Sequence, residues 1–423
     1  MYLEKVNLKN YKAIEDLEID LQPGINLLVG DNGAGKTSVL DGIAIALSGL
    51  FVNVEGVSAK NIAKEDVHVV VTASGDNSKM ISYFEPVSVG CSLNVDSKTY
   101  AWKRIKEQMS STHTKIDDRT VCAWMKRLTN KPGTCLPLLS YQSAARAWKV
   151  KRGDFGNELK KKLDDRRCGY IGCLDSSMDV KAIQQWCLNQ EIAALNKGKQ
   201  IGEYETFKKI IAVFMKEINE LERLPQIYYM GQFEELVYKD ENEEMAISKM
   251  SAGYQSLIWM VMDLAYRVAL LNPNLRELSE IEGIVLIDEV DMHLHPKWQW
   301  NIVKALSVTF PNVQFIITTH SPIVISSAKE ANLILLDEKK QVTYLPDSYG
   351  YPVEDVLLFR QESVSRPKII QAQMDVIDEA LEDEDFDKAD EALRKLKDIL
   401  GKDNTEYKRI EGVIGDAKMI SSL

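Results

Sequence analysis

Eight residues near the start of the chain, Gly30-Asp31-Asn32-Gly33-Ala34-Gly35-Lys36-Thr37, have the types and spacing to hold a row of phosphates. They fit GxxxxGK[ST], in which glycines let backbone N–H groups converge on phosphate oxygens at a helix N-terminus. The Lys36 ammonium would reach the outer phosphates and the Thr37 hydroxyl would hold Mg²⁺. Asn32, Gly33, Ala34, Gly35 and Ser38 would complete the wrap. Such a loop needs a strand before it and a helix after it. Ile25-Asn26-Leu27-Leu28-Val29 is an apolar run, and Ser38 to Leu47 reads as a helix. ATP with Mg²⁺ is the expected ligand pair.

Phosphoryl chemistry also needs acids, and these lie more than two hundred residues downstream. Gly283-Ile284-Val285-Leu286-Ile287-Asp288-Glu289 is a short apolar strand ending in two carboxylates. Asp288 would enter the Mg²⁺ shell, and Glu289 would polarise the attacking water. Just ahead of it, Met250-Ser251-Ala252-Gly253-Tyr254-Gln255 opens a helix running to Leu271. The unpaired N–H groups of a helix start are an anion site. Beyond the acids, the β-rich run Val313 to Thr319 carries His320 to a strand end.

In this order the segments resemble the Walker A, signature, Walker B and switch-histidine elements of ABC-type ATPases. The resemblance implies that Ser251, Ala252, Gly253 and Gln255 face nucleotide held by a second subunit. It implies that His320 contacts the γ-phosphate and the catalytic water beside Glu289. Gln142, after Leu136-Pro137-Leu138-Leu139-Ser140-Tyr141, matches the Q-loop glutamine that reaches Mg²⁺. Lys12, in Asn10-Tyr11-Lys12, is a candidate phosphate contact, and Asp291 matches the D-loop aspartate. His293 and His295 lie in Asp291-Met292-His293-Leu294-His295-Pro296 with no further His or Cys cluster. A role in the turn before the Pro296 helix start is therefore expected of them, rather than metal binding. Ser251-Ala252-Gly253 lacks the second signature glycine, a departure that bears on fast hydrolysis more than on binding.

More narrowly, the motif string, the short interval between motifs, the His-Leu-His-Pro turn and the acidic helical tail resemble the PtuA-type ATPases. These belong to prokaryotic anti-phage systems (Septu and related retrons), within the SMC-like ATPases that include OLD-family nucleases. The resemblance implies a regulatory or sensor ATPase that controls a partner HNH nuclease and forms homo-oligomers through ATP-sandwich dimers. About a hundred residues follow His320, without a Toprim-like arrangement of acids, so intrinsic nuclease activity is not expected. The alternative is a DNA-binding, RecF- or SMC-like ATPase of repair or recombination. A long coiled-coil arm is excluded, because no sustained heptad separates the phosphate loop from Ser251.

The net charge of −11 argues against general adhesion to nucleic acid. Arg146 to Arg167 nevertheless carries nine Lys/Arg against four Asp/Glu, the stretch around Lys103 to Lys131 is also basic, and these basic insertions are candidate contacts for nucleic acid or an acidic protein. The opposite bias, ten acids against one base from Asp375 to Glu391, reads as a solvated helix surface. No apolar run approaches the ~20 residues that span a bilayer, so no membrane partner is expected. Six scattered cysteines suit a reducing cytoplasm.

The elements that must position these residues define an α/β fold. It is an ABC-type P-loop ATPase head, a mixed central sheet plus an antiparallel subdomain, with a helical insertion and a helical C-terminal tail. Expected boundaries are 1–150 for a first lobe, 151–225 for the insertion, 226–348 for a second lobe and 349–423 for the tail. Leu3, Val6, Leu8 and Leu17, Ile19, Leu21 alternate as strands. Val67 to Ala73 and Lys79 to Phe84 read as a strand pair, as do Phe233 to Val237 with Met245 to Ile247 and Leu333 to Leu336 with Val342 to Tyr344.

Overall fold

The computed structural model describes residues 1–74, 78–144, 165–175, 179–198, 201–232, 235–360 and 367–421. Most of the basic stretch Arg146 to Arg167 therefore lies outside the described residues, as do Phe233, Glu234 and the Ser365-Arg366 step. The chain divides into two compact units, Met1–Tyr351 and Pro352–Leu423.

In the first unit, side-chain alternation makes β1 (Tyr2–Tyr11) and β2 (Ile14–Asp20) an antiparallel pair with Val6, Leu8, Leu17 and Ile19 inward. β3 (Ile25–Val29) is buried at every residue and runs through the phosphate loop into α1 (Lys36–Leu47). A two-stranded ribbon follows, β4 (Val69–Ser74) with β5 (Ser78–Tyr83). Then come β6 (Val87–Val95), β7 (Lys98–Lys106), β8 (Lys115–Ile116), α2 (Thr120–Asn130) and β9 (Leu138–Gln142). A 3-10 turn at Arg166–Tyr170 precedes α3 (Val180–Lys197) and α4 (Gly202–Asn219). Next are β10 (Gln226–Met230), β11 (Glu235–Lys239), β12 (Glu244–Ala246) and α5 (Ala252–Leu271). β13 (Glu282–Ile287), α6 (Pro296–Thr309), β14 (Asn312–Thr318), α7 (Pro322–Ser327), β15 (Asn332–Leu336) and β16 (Val342–Leu345) complete the unit.

The central sheet has the order β16-β15-β3-β14-β13-β9, parallel except for β16 at its edge. A five-stranded antiparallel sheet, β2-β1-β6-β7-β8, forms the subdomain. α1 lies between the two, which is why Val-Leu-Asp-Gly-Ile-Ala-Ile-Ala-Leu carries apolar residues nearly all round. Val39 and Ile43 share one core with Leu8 and Val89 of the antiparallel sheet and Leu286 and Ile316 of the central one. Trp102 of β7 donates its indole proton to the Ala46 carbonyl at 2.8 Å and so ties that sheet to α1.

Two buried amides tie the central sheet to its surroundings. Asn26, an oddity in the apolar β3, accepts from Gln22 N at 2.9 Å and from Asn332 Nδ2 at 3.0 Å. Gln314 of β14 accepts from Leu3 N at 2.7 Å and donates back to Leu3 O at 2.9 Å. Each removes an unsatisfied polar group from the core.

The structure revises two details of the sequence reading. The expected hairpin before Ser251 is a three-stranded sheet, because β10 pairs with β11 along its full length. β6 and β7, each nine residues, are the main strands of the subdomain, whereas β4 and β5 stand as a separate ribbon. In the segment expected to be a helical insertion, α4 buries Phe207, Ile210, Phe214 and Ile218 and packs on α5 and α6.

The second unit is helical: α8 (Val353–Arg360), α9 (Lys368–Glu382), α10 (Phe386–Leu400) and α11 (Thr405–Ser421). Ile377, Leu393, Leu396, Ile410 and Ile414 form its own small core. Gly401, at φ 83° and ψ 150°, ends α10 in a backbone that favours glycine. Among the described residues no helix is long and apolar enough to cross a membrane.

Candidate nucleotide site

The phosphate loop turns between β3 and α1, and Gly35 at its end adopts φ 103°, a backbone that L side chains rarely take. Lys36 is buried, with its ammonium donating to the carbonyls of Gly30 at 2.7 Å and Asp31 at 3.0 Å. Burial lowers its pKa, while the charges of Asp288, Glu289, Asp31 and Asp291 oppose that shift. Four carboxylates around one ammonium make a site that needs further positive charge if it is to take a polyphosphate as well.

The cation partners are in place. Thr37 Oγ1 lies 3.0 and 3.2 Å from the two carboxylate oxygens of Asp288. Mg²⁺ takes oxygen ligands at about 2.0–2.1 Å in an octahedron, whose edges are then about 2.9 Å. The hydroxyl and the carboxylate are thus spaced as neighbouring ligands of such an ion, and the donor set fits it. When bound, the ion would offset charge on the outer phosphates. Asp288 is 2% exposed and also accepts from Thr318 Oγ1 at 2.6 Å.

Thr318 in turn accepts from the Glu289 backbone N–H at 2.7 Å. Glu289 sits at φ 47°, so its backbone turns sharply after β13 and separates the two neighbouring acids into different settings. Asp288 is locked by hydroxyls. Glu289 is half-buried beside it.

His320, at the end of β14, is half-buried, and its pKa is lowered, first by burial and then by the Lys36 charge. It is neutral at pH 7 and can hold or pass a proton. Asp291 accepts from Thr319 Oγ1 at 2.5 Å and from His320 N at 3.4 Å, joining the turn after β13 to the histidine strand.

The start of α5 is built differently. Ser251 caps the helix, its Oγ accepting from Tyr254 N at 3.3 Å, and both Ser251 and Ala252 are exposed. The first N–H groups of a helix have no partner within it, so this end offers donors to solvent. Gly253 packs against the turn after β13: a Cβ there would lie 2.2 Å from the His293 carbonyl oxygen. Behind it, Tyr254 stacks edge-on to Trp298 at 5.0 Å. Asn219 of α4 donates to Tyr254 OH at 2.7 Å and accepts from Trp298 Nε1 at 3.0 Å. His295 accepts from Lys297 N at 3.2 Å with Pro296 next to it, the turn role its sequence position implied.

Other sequence candidates take partners within the chain. Lys12, in the turn between β1 and β2, donates to Asp41 Oδ2 of α1 at 2.5 Å rather than being left open for phosphate. Gln255 spends its amide protons on the carbonyls of Ser248 at 3.1 Å and Met250 at 2.8 Å. Gln142 ends β9 beside β13, with its carbonyl accepting from Asp288 N at 2.8 Å. Asn32, Gly33 and Thr37 are exposed, Ala34 is buried and Ser38 half-buried.

Two site residues were not legible in the motifs. Thr318 bridges both acids from the neighbouring strand. Lys340, in the turn between β15 and β16, donates to Gly33 O at 2.6 Å and lies along Gly35, holding the outside of the loop. A lysine in a hairpin turn carries no sequence signal for that contact.

Fold and site together define a P-loop ATPase. The AAA domain family model matches residues 5–258, and a second AAA domain model matches residues 211–326. The chain belongs to the AAA domain family. It is 25% identical to "Retron Vc95 probable ATPase" of Vibrio cholerae serotype O1 biovar El Tor, across 86% of this chain and 79% of that protein. It is 26% identical to "Retron Ec83 probable ATPase" of Escherichia coli, across 78% and 70%. It is also 26% identical to "Septu protein PtuA" of Bacillus mycoides (strain KBAB4), across 84% of this chain and 44% of that longer protein. Among solved structures, an Smc head bound to the C-winged helix domain of ScpA superposes with a TM-score of 0.48 at 15% identity, covering 82% of this chain and 98% of that one.

Proposed function

We propose that this chain is the ATP-binding and ATP-hydrolysing regulatory subunit of a cytoplasmic anti-phage defence complex. Two copies close face to face on ATP, and the closed state controls a partner nuclease of the HNH type. The observation that carries the reading is the division of labour between the two helix starts. Lys36, Thr37, Asp288 and Glu289 are grouped where they would meet one face of a phosphate, while the capped and exposed Ser251 end would offer donors to a phosphate brought by another copy. The retron and Septu names of its relatives support the defence setting. The six cysteines, all free and five of them buried, suit a reducing compartment.

In the chemical step, Glu289 takes the proton of the attacking water, and neutral His320 holds the γ-phosphate oxygen through a hydrogen bond. Lys36 and the loop N–H groups stabilise the departing charge. The alternative repair reading rests on weaker ground. Matches to RecF proteins, at 41–51% identity, extend over only 43–49 residues.

The test is Glu289→Gln, which keeps the shape and removes the base. Light scattering should show a doubled or larger mass when ATP and Mg²⁺ are added, persisting for hours. No ATP-dependent change in mass would end the sandwich reading.

A further inference from the structure

Lys340 stands where turn chemistry favours glycine. The hairpin between β15 and β16 closes on Asp337, whose N–H donates to Gln341 O at 3.2 Å and whose carbonyl accepts from Lys340 N at 3.0 Å. Asp337 Oδ1 also accepts from Gln341 N at 2.7 Å. The last loop residue of such a hairpin takes a left-handed backbone, and Lys340 does so at φ 63°. Its neighbours Glu338 and Lys339 are exposed, whereas Lys340 is half-buried. The stem crosses the phosphate loop: a Cβ built on Gly35 would lie 3.5 Å from Lys340 Cδ and 3.7 Å from Cε. The ammonium ends 2.6 Å from the Gly33 carbonyl oxygen. A backbone strained at this position is a pointer to function.

What the contact controls follows from the geometry of one peptide group. In a trans peptide the carbonyl and the following N–H point to opposite sides. Gly33 O faces Lys340, so Ala34 N–H faces away from it and donates to Asp31 O at 3.2 Å. The Lys36 ammonium donates to the same Asp31 oxygen at 3.0 Å. Ala34 N–H and Lys36 thus converge on one acceptor, while Lys340 holds the opposite end of the peptide. Gly33 does little to fix this arrangement. Its φ is 84°, and nothing lies within 4 Å of where its Cβ would be. If the Gly33–Ala34 peptide rotated, a carbonyl oxygen would replace the N–H beside Lys36, and it would repel a phosphate that the N–H attracts.

We infer that Lys340 is a positioning residue of the nucleotide site: it pins the Gly33–Ala34 peptide by its oxygen, so that the Ala34 N–H meets phosphate beside Lys36. A cation on the carbonyl also polarises the peptide and strengthens its N–H as a donor. The inference rests on the reading of Gly30 to Thr37 as the seat of the phosphates. It adds that a hairpin turn 307 residues along the chain from Gly33 sets how tightly they are held.

The measurement is titration of a fluorescent ATP analogue with Mg²⁺ into wild type, Lys340→Met and Lys340→Arg, beside the melting temperature of each without nucleotide. Lys340→Met keeps a stem over Gly35 and loses the donor. One hydrogen bond from a charged group is at stake, so affinity should fall about tenfold. The melting temperature should stay close to that of wild type. Lys340→Arg keeps a cationic donor and should recover most of the lost affinity. A role confined to packing of the stem predicts the reverse order, because methionine fills the space over Gly35 and the bulkier arginine strains it.

Lys340→Met binding as tightly as wild type overturns the inference, as does Lys340→Arg binding no tighter than Lys340→Met. If Lys340→Met does not fold, Lys340→Gly, which suits the left-handed turn and also lacks the donor, takes its place under the same criteria. A wild type that does not bind the analogue would sink the phosphate-loop assignment itself. A wild type that binds it, with Lys36→Ala weakened and Lys340→Met unchanged, would sink only the role of Lys340.

Discussion

The phosphate loop and the start of α5 are both glycine-containing helix starts, yet the chain finishes them in opposite ways. At α1 the surrounding groups turn inward: Lys36 onto Gly30 and Asp31, Thr37 onto Asp288, Lys340 onto Gly33. At α5 the supports lie behind the helix, in Trp298, Asn219 and the His293 carbonyl, and the cap itself faces out. The first end is enclosed by groups of its own chain. The second is braced from behind while its cap is exposed, as the proposed meeting with another copy would require. The comparison teaches that two similar helix starts can be finished differently by what stands behind them.

The comparison is most severely tested at Lys36. Lys36→Ala removes the buried charge that four carboxylates surround, and loss of charged hydrogen bonds worth about 3 kcal/mol should weaken nucleotide binding on the order of 100-fold. Fluorescent-analogue titration checks it. Unchanged affinity would mean that the loop is not the nucleotide site.

Gly253→Ala comes next. Its methyl group would meet the His293 carbonyl, and overpacking of that kind costs about 1–3 kcal/mol. ATP-dependent association should fall while the affinity of the monomer for nucleotide stays the same. A fall in both would show that the two helix starts are not separable.

Ser251→Ala is milder, with a lost cap worth about 1 kcal/mol of stability in a denaturant melt. Association should again weaken without a change in monomer affinity, as read by sedimentation at fixed ATP.

The smallest effect is in pH. The folded pKa of His320 is lowered, so above the unfolded value of about 6.5 the residue is neutral in both states and contributes no slope. As pH falls from there towards the folded value, the unfolded chain takes a proton that the folded one refuses, and stability drops. The melting temperature of wild type relative to His320→Gln should therefore be lower at pH 5.5 than at pH 7.5. A constant difference would place His320 in a more open setting.

Much of the site was legible because its parts are local. Gly30 to Thr37 is a continuous loop between a strand and a helix, so its chemistry can be read from adjacent residues. The same holds for Asp288-Glu289 at a strand end and for Ser251 as a cap. Gln142 and His320 could be located at strand ends, but not what their side chains touch. Lys12 and Gln255 look available in sequence and are engaged within the chain, with Asp41 and with the Ser248 and Met250 carbonyls. Their partners are set by close packing that spacing does not encode. The nine-residue strands β6 and β7 escaped notice because Gly90, Cys91 and Ser92 interrupt one and lysines and arginine line the other. Their strand character comes from pairing with β1 and with each other.

The residue order alone determined the phosphate-binding loop, the two acids, the capped helix start and the α/β class, because each is written in consecutive residues or in a short period. Which strand lies beside which was decided only in three dimensions. Parallel register of β9, β13 and β14 aligns Gln142, Ile287 and Ile317, which brings Asp288 beside Thr318 and its N–H to the Gln142 carbonyl, although these residues stand more than a hundred positions apart at the extremes. Nothing in a strand's own sequence names its neighbour, since backbone hydrogen bonds are the same for every residue. The choice is made by the shape of the buried faces packed around α1.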